Sequence, residues 1–219
     1  AGLDMARRAA SEADLLVAVG GDGTVSEVAG GLLQSGARAR LAILPLGTGN
    51  DVASQLGIRT VQGAIDLIAG GQPRLMDAIA VRCPPDRSAP NRHALSFVSL
   101  GFADELLRRT TPAVKRWFGP RWCYSIGFLR ALAMYHPPAV RVRADALTFE
   151  GRWLHICAGN LEWAGGGAMR LSPGALGDDG QFDVCLIEAM PRLATAWHFP
   201  KLLRGSFIGN PRARYFRGT

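Results

Sequence analysis

The spacing of apolar and polar positions changes character about a third of the way along the chain. Leu3 to Ala13 has helical spacing, and Leu15 to Val19 is an unbroken apolar run, as in a buried parallel strand. Glycines at 20, 21 and 23 interrupt it. Val25, Val28, Ala29, Leu32 and Leu33 then return at helical intervals, with Thr24 and Glu27 spaced as a capping box. Leu41 to Leu46 predicts a second strand. After Gly47-Thr48-Gly49 come a helix over 50–56 stopped at Gly57 and another over Val61 to Ala69 ended by Gly70-Gly71. Strand, glycine turn and helix, repeated, is a doubly wound α/β pattern.

Beyond Asp77 the pattern favours strands. Ile79 to Val81 and Ala94 to Leu100 read as strands around a charged, Pro-rich loop over 84–92. Arg121 to Tyr135 reads as an amphipathic helix stopped by His136-Pro137-Pro138. Val140 to Arg143, Ala146 to Phe149, Trp153 to Ala158 and Phe182 to Glu188 read as strands, the second and third joined across Glu150-Gly151. A helix is predicted over Arg192 to Leu203, and the basic tail beyond it gives no clear signal. The expected organisation is a small α/β domain over 1–77 and a β-rich second domain over 78–219.

At 219 residues the chain can bury a sizeable core, and no apolar run approaches the roughly 20 residues that span a bilayer. A net charge of +7 favours an acidic partner, whether nucleic acid, anionic lipid or a phosphate-bearing substrate. The four cysteines and four histidines are scattered without metal-ligand spacing, which argues against zinc and against a disulfide framework and fits a reducing, cytoplasmic setting. The first residues read as the middle of a helix, so an upstream segment is expected.

The chemistry concentrates in two glycine motifs. Gly20-Gly21-Asp22-Gly23-Thr24 stands where a strand gives way to a helix. Glycine lets backbone N–H groups approach a phosphate closely, and the helix N-terminus adds partial positive charge. Asp22 fits beside phosphates if Mg²⁺ lies between them, or if it orients an attacking hydroxyl. Leu44-Pro45-Leu46-Gly47-Thr48-Gly49-Asn50-Asp51 lies at the same sheet edge; Thr48 offers a hydroxyl, and Asn50 or Asp51 could equally cap the next helix. Two such turns on neighbouring strands would meet in one crevice.

These two motifs, with Glu27 three residues after Thr24, resemble the catalytic domain of diacylglycerol, sphingosine and ceramide kinases and bacterial lipid kinases. Asn160, Gly165 to Gly167, Ser172-Pro173 and Asp178-Asp179-Gly180-Gln181-Phe182-Asp183-Val184 are similar to the same family's second domain. The resemblance implies a phosphofructokinase-like α/β domain followed by a mainly β, sandwich domain, and transfer of the γ-phosphoryl group of ATP to a lipid hydroxyl. It implies that Gly20, Gly21, Asp22, Gly23, Thr24, Val25, Ser26, Thr48 and Asn50 hold the nucleotide, and that Asp22, Asp51 and Asp77 join the acidic network around Mg²⁺-ATP. It further implies a structural metal held by the Asp179 side chain and the carbonyls of Leu176 and Gln181; the residues alone allow an Asp-Gly turn there equally.

In two respects the chain departs from the family pattern. The family's upstream strand with an Asn-Pro loop is not present, and no Asp-Gly-Glu occurs to supply a general base. The expectation is that these residues alone are inactive or unstable while a longer product is a kinase. Diacylglycerol is the default acceptor. Ser99, where diacylglycerol kinases often have Asn, favours a sphingoid base or ceramide. NAD kinase shares Gly-Gly-Asp-Gly-Thr but resembles a different motif at the second turn, and a nucleotide- or lipid-binding module without turnover is the non-enzymatic alternative. Arg108, Arg109, Lys115, Arg116 and Arg121 among Trp117, Phe118, Trp122 and Tyr124 suit peripheral contact with an anionic membrane. A homodimer is also allowed, and no nucleic-acid partner is expected.

Overall fold

The computed structural model of the chain describes residues 2–82, 92–109, 126–167, 169–207 and 209–218. By contacts the chain divides into two compact units. Unit 1 comprises Ala1–Val98 and Gly159–Phe182; unit 2 comprises Ser99–Ala158 and Asp183–Thr219. The spatial division is therefore discontinuous in sequence, whereas the boundary expected at Asp77 is linear.

Unit 1 begins with α1 (Gly2–Ala9), β1 (Leu15–Gly20), α2 (Asp22–Ser35) and β2 (Arg40–Pro45). β1 and β2 are parallel neighbours, Leu15 opposite Arg40 through Gly20 opposite Pro45. Ala18 and Ile43 face α2 and the following helix, forming a core with Val25, Ala29, Val52 and Ala53. α1 lies directly on α2: a side chain on Gly31 would collide with the Leu3 carbonyl and the Arg7 nitrogen, so glycine sets how near the two helices come. α3 (Asp51–Gln55) and α4 (Val61–Gly70) follow. Thr60 caps α4, its Oγ1 accepting from the Gly63 N–H at 3.0 Å.

β3 (Ile79–Val81) and β4 (Arg92–Ala94) make a short antiparallel pair, Ile79 opposite Ala94. The strand expected over 94–100 is thus two strands, β4 and β5 (Phe97–Gly101), with a bend at Leu95-Ser96. β8 (Trp163–Ala164) and β9 (Met169–Arg170) form a second small antiparallel pair in unit 1.

Unit 2 holds α5 (Phe102–Arg109), a helix α6 over 126–134, and a five-stranded sheet. The sheet takes β6 (Ala139–Ala144), β7 (Leu147–Gly159), β10 (Phe182–Glu188) and β11 (Ala213–Gly218) together with β5, in the order β11-β10-β7-β5, with β6 also on β7. Here the sequence reading is corrected twice. Ala146 to Phe149 and Trp153 to Ala158 are one strand, and the hairpin turns at Asp145-Ala146, where Asp145 adopts φ 50°. Asp tolerates that left-handed geometry, so the turn needed no glycine. The tail beyond Leu203, which carried no signal, forms β11. α7 (Arg192–Leu203) closes the unit, its inner side set by buried Thr195 and by Phe199 against Phe102 and Phe128. No helix among the described residues is long and apolar enough to cross a membrane.

Candidate active site

The parallel register of β1 and β2 delivers both glycine turns to one sheet edge, Gly20 beside Pro45, with the Leu46 N–H donating to the Gly20 carbonyl at 3.1 Å. Beyond that point the turns touch backbone to backbone. A Cβ on Gly47 would overlap Gly21 Cα, and one on Gly21 would lie 3.0 Å from Gly47 Cα. Neither position can carry a side chain without moving its neighbour. The predicted convergence is thus a physical contact.

Each turn ends in a way that its local sequence did not reveal. α2 starts at Asp22, three residues earlier than the capping box required. Its N-cap is Gly21, with no side-chain cap. Thr24 sits inside the first turn and its side chain lies over Gly20, while Glu27 lies against Gly2 of α1. The Thr24–Glu27 capping box is therefore overturned, because the helix begins earlier and the two side chains lie against Gly20 and Gly2 instead. The consequence is an uncapped N-terminus whose first-turn N–H groups have no side-chain acceptor, and beside Gly23 there is open space.

At the second turn Asn50 adopts φ 52°, ψ 41° and closes the loop on itself: its Oδ1 accepts from the Gly47 N–H and its Nδ2 donates to the Gly47 carbonyl, both at 2.9 Å. Neither Asn50 nor Asp51 caps α3. Asp22 does so from the other turn, its Oδ1 accepting from the Val52 N–H at 3.0 Å. Asp51 reaches a third loop, where the N–H groups of Gly167 and Gly166 donate to Oδ1 at 2.9 Å and Oδ2 at 3.1 Å. Gly165, Gly166 and Gly167 all have φ between 69° and 77°, a run of left-handed conformations that suits glycine and turns successive N–H groups toward one anion. Asp22 Oδ2 and Asp51 Oδ2 both flank Gly49, 3.0 and 3.5 Å from the position a Cβ would occupy there.

Of the residues picked from sequence, Gly20 to Thr24, Thr48, Asn50 and Asp51 come together here. Val25 and Ser26 point elsewhere. Val25 is 2% exposed in the core and donates its N–H to the Gly21 carbonyl; the Ser26 hydroxyl donates to the His93 carbonyl. Asp77 lies with the Asp179 loop: its Oδ2 accepts from the Gly180 N–H at 2.7 Å and its own N–H donates to the Gly177 carbonyl at 2.7 Å. Within that loop Asp179 Oδ1 accepts from the Gln181 N–H at 3.1 Å, and Leu176 is exposed. Of the basic and aromatic cluster over 108–124, only Arg108 and Arg109 lie within the described residues.

Sequence reasoning missed several supports. Gly47 and Gly49 were read as loop formers, yet they fix the contact with Gly21 and the gap between the carboxylates. Gln55 and Trp163 exchange hydrogen bonds at 2.9 Å, each through the Gln55 amide and the Trp163 backbone, which ties α3 to the hairpin holding Gly166. Glu162 accepts from Arg170, from the Gly174 N–H at 2.7 Å and from the Trp163 indole at 3.0 Å. Burial raises the Glu162 pKa, but those bonds and the Arg170 charge outweigh it and hold the carboxyl below its usual range. Buried Asn160 bridges the Asp77 and Leu95 carbonyls through Nδ2, at 2.7 and 3.2 Å.

The residues fit a phosphate chain. A helix N-terminus without a cap, cradled by glycines that a Cβ would fill, offers N–H donors and partial positive charge. Asp22 and Asp51 beside Gly49 fit Mg²⁺ shared with phosphate oxygens rather than a cage made by protein alone. No group of three or more His, Cys, Asp or Glu gathers as a metal site among the described residues.

Comparison with known proteins agrees with this geometry. Residues 1–81 match the family model described as the diacylglycerol kinase catalytic domain, and residues 96–219 match that of the YegS C-terminal NAD kinase beta sandwich-like domain. A Staphylococcus epidermidis protein named diacylglycerol kinase is 31% identical over 207 residues, 94% of this chain and 62% of the relative. A Stenotrophomonas maltophilia protein named "Probable lipid kinase YegS-like" is 32% identical over 188 residues, 84% of this chain and 59% of the relative. The chain thus spans about three-fifths of these relatives. A crystal structure of a Bacillus anthracis diacylglycerol kinase superposes with TM-score 0.68 at 22% identity, covering 100% of this chain and 68% of that one, and shows the fold.

Proposed function

This chain belongs to the diacylglycerol kinase and YegS-like lipid kinase family, and we propose that it forms most of an ATP-dependent kinase that phosphorylates a lipid hydroxyl, with diacylglycerol as acceptor. The observation that carries the reading is the backbone contact of Gly21 with Gly47, beside an uncapped α2 and a pair of carboxylates.

In this reading the first-turn N–H groups of α2 receive the phosphate chain, and Gly21 and Gly47 let it approach the backbone. Mg²⁺, when bound with the nucleotide, would neutralise phosphate charge between Asp22 and Asp51. Asp22 Oδ1 stays on the Val52 N–H, which aims Oδ2 toward Gly49. Asp51 is oriented by the Gly166 and Gly167 N–H groups. Positioning and charge neutralisation supply most of the catalysis expected of phosphoryl transfer. A cation at Leu176, Asp179 and Gln181, and a part for Asp77 in the acidic network, belong to the same proposal. So does peripheral contact with anionic lipid.

The test is incubation of the full-length protein with γ-labelled ATP and a panel of diacylglycerol, monoacylglycerol, sphingosine and ceramide. Label extracted with one lipid, and lost in Asp22→Asn, is the expected result. ATP consumption without labelled lipid, or no nucleotide binding, would refute the reading. Ser99, whose hydroxyl donates to Asp104 Oδ1 at 2.8 Å, keeps a sphingoid acceptor as the second reading that the panel separates.

A further inference from the structure

α7 has two unlike sides. Thr195 and Phe199 face inward, whereas Leu193 is 86% exposed and Trp197 is 78% exposed. Spaced four apart, these two lie on one stripe, continued by Lys201 at the next interval, with exposed Pro200 beside it. A single exposed leucine is unremarkable, but a tryptophan exposed to that degree next to one is a patch that water does not favour.

The charge along this stretch of the chain is of one sign. From Ala189 to Thr219 the chain carries six basic residues and no acidic one. Arg214 and Arg217 are matched to Glu188 and Asp183, each at 3.4 Å. Arg192, Lys201 and Arg204 are exposed and have no carboxylate at ion-pairing distance among the described residues. A Leu–Trp stripe bordered by lysine and arginine is the composition of a helix lying in a lipid interface: the indole and leucine enter the headgroup region and the cations meet lipid phosphates.

We infer that the outer face of α7, centred on Leu193 and Trp197 and bordered by Lys201 and Arg204, docks on an anionic lipid bilayer. A protein that phosphorylates lipid must work at such a surface, so the inference rests on the kinase reading for its purpose. It does not rest on that reading for its measurement, because vesicle binding requires neither nucleotide nor turnover.

The experiment is flotation of the purified protein with vesicles of phosphatidylcholine alone or mixed with phosphatidylglycerol. Wild type is compared with Leu193→Ser/Trp197→Ser and with Lys201→Glu/Arg204→Glu. Circular dichroism and thermal midpoints verify the fold, which these exposed positions should not disturb. Wild type should float with the anionic vesicles. The apolar double variant should lose about a hundredfold in partition, and the charge reversal more than about tenfold together with its preference for phosphatidylglycerol. Wild-type partition in both variants overturns the inference. So does indifference of wild type to lipid charge, or an effect of Trp197 on self-association alone, which would make the occupant a second copy. Vesicle binding that tracks α7 in a protein that labels no lipid would support this docking face and defeat the kinase reading.

Discussion

The glycine nexus of unit 1 and the interior of the unit 2 sheet both hold ionisable groups, half-buried in the first and, at His155, buried in the second, and they treat them in opposite ways. In the nexus each carboxylate is met by backbone donors: Asp22 by Val52, Asp51 by Gly166 and Gly167. Around β7, His155 is 5% exposed and neither ring nitrogen meets a partner among the described residues. Asp104 Oδ2 is likewise without one, although Ser99 donates to Oδ1. Burial drives the His155 pKa down to about 4, against the opposing pull of Asp104. Fixed N–H dipoles can hold a charge; apolar burial without them removes it. A site that handles phosphate needs the first arrangement, and a strand core tolerates the second.

Asp22→Asn should give the largest break in this comparison. Asparagine keeps an oxygen for the Val52 N–H but loses the charge, so lipid phosphorylation should fall by about a thousandfold or more with little change in thermal midpoint. Asp22→Ala should in addition cost about 1 kcal/mol, since α3 loses its only described cap. Equal stability of the two variants would refute the capping role.

Gly47→Ala tests the backbone contact. Its Cβ would overlap Gly21 Cα and lie 2.8 Å from Asn50 Oδ1, so denaturant unfolding should show a loss of about 3 kcal/mol. Gly23→Ala, with nothing within 4 Å of the new carbon, should be neutral or slightly stabilising. Similar costs at both positions would remove the argument for a fixed contact.

Acid should expose the other region. Above the ordinary histidine pKa of 6.5, His155 is neutral in both the folded and the unfolded chain. As pH falls below 6.5 the unfolded chain takes up a proton that the buried ring refuses until about pH 4. Stability is therefore full above 6.5 and declines through that window by about 3 kcal/mol in all. His155→Leu should flatten that part of the pH–stability curve; an unchanged slope would assign it to another group. A modest effect, confined to stability, is expected of Thr60→Ala: about 1 kcal/mol by chemical denaturation, with lipid phosphorylation unaltered.

The nexus was legible in the sequence as two glycine motifs after two strands, because strand, turn and helix are set by local periodicity. That they would meet in one crevice was legible too, but the backbone contact itself was not, since nothing in either motif states that Gly21 and Gly47 share one space. The Thr24–Glu27 spacing suggested a local cap, but the caps and clasps here join groups far apart in the chain: the Asp22 carboxylate accepts from the Val52 N–H, and the Asp51 carboxylate from the Gly166 and Gly167 N–H groups. Gln55, which ties α3 to Trp163, and Asn160, which bridges the Asp77 and Leu95 carbonyls, carry no local signal, because an amide's role depends on what stands opposite it. The same holds for His155, whose strand position was evident and whose titration was not.

What the sequence determined by itself was the order of elements, the identity of the phosphate-type turns and the family to which they point. These follow from the spacing of apolar residues and from glycine's freedom, properties carried within a few residues. Tertiary structure alone decided which carboxylate is spent on which N–H, why α2 begins uncapped, and that Leu193 and Trp197 remain outside. Such matters depend on pairs distant in the chain, and only packing brings those pairs within hydrogen-bonding reach or leaves a face uncovered.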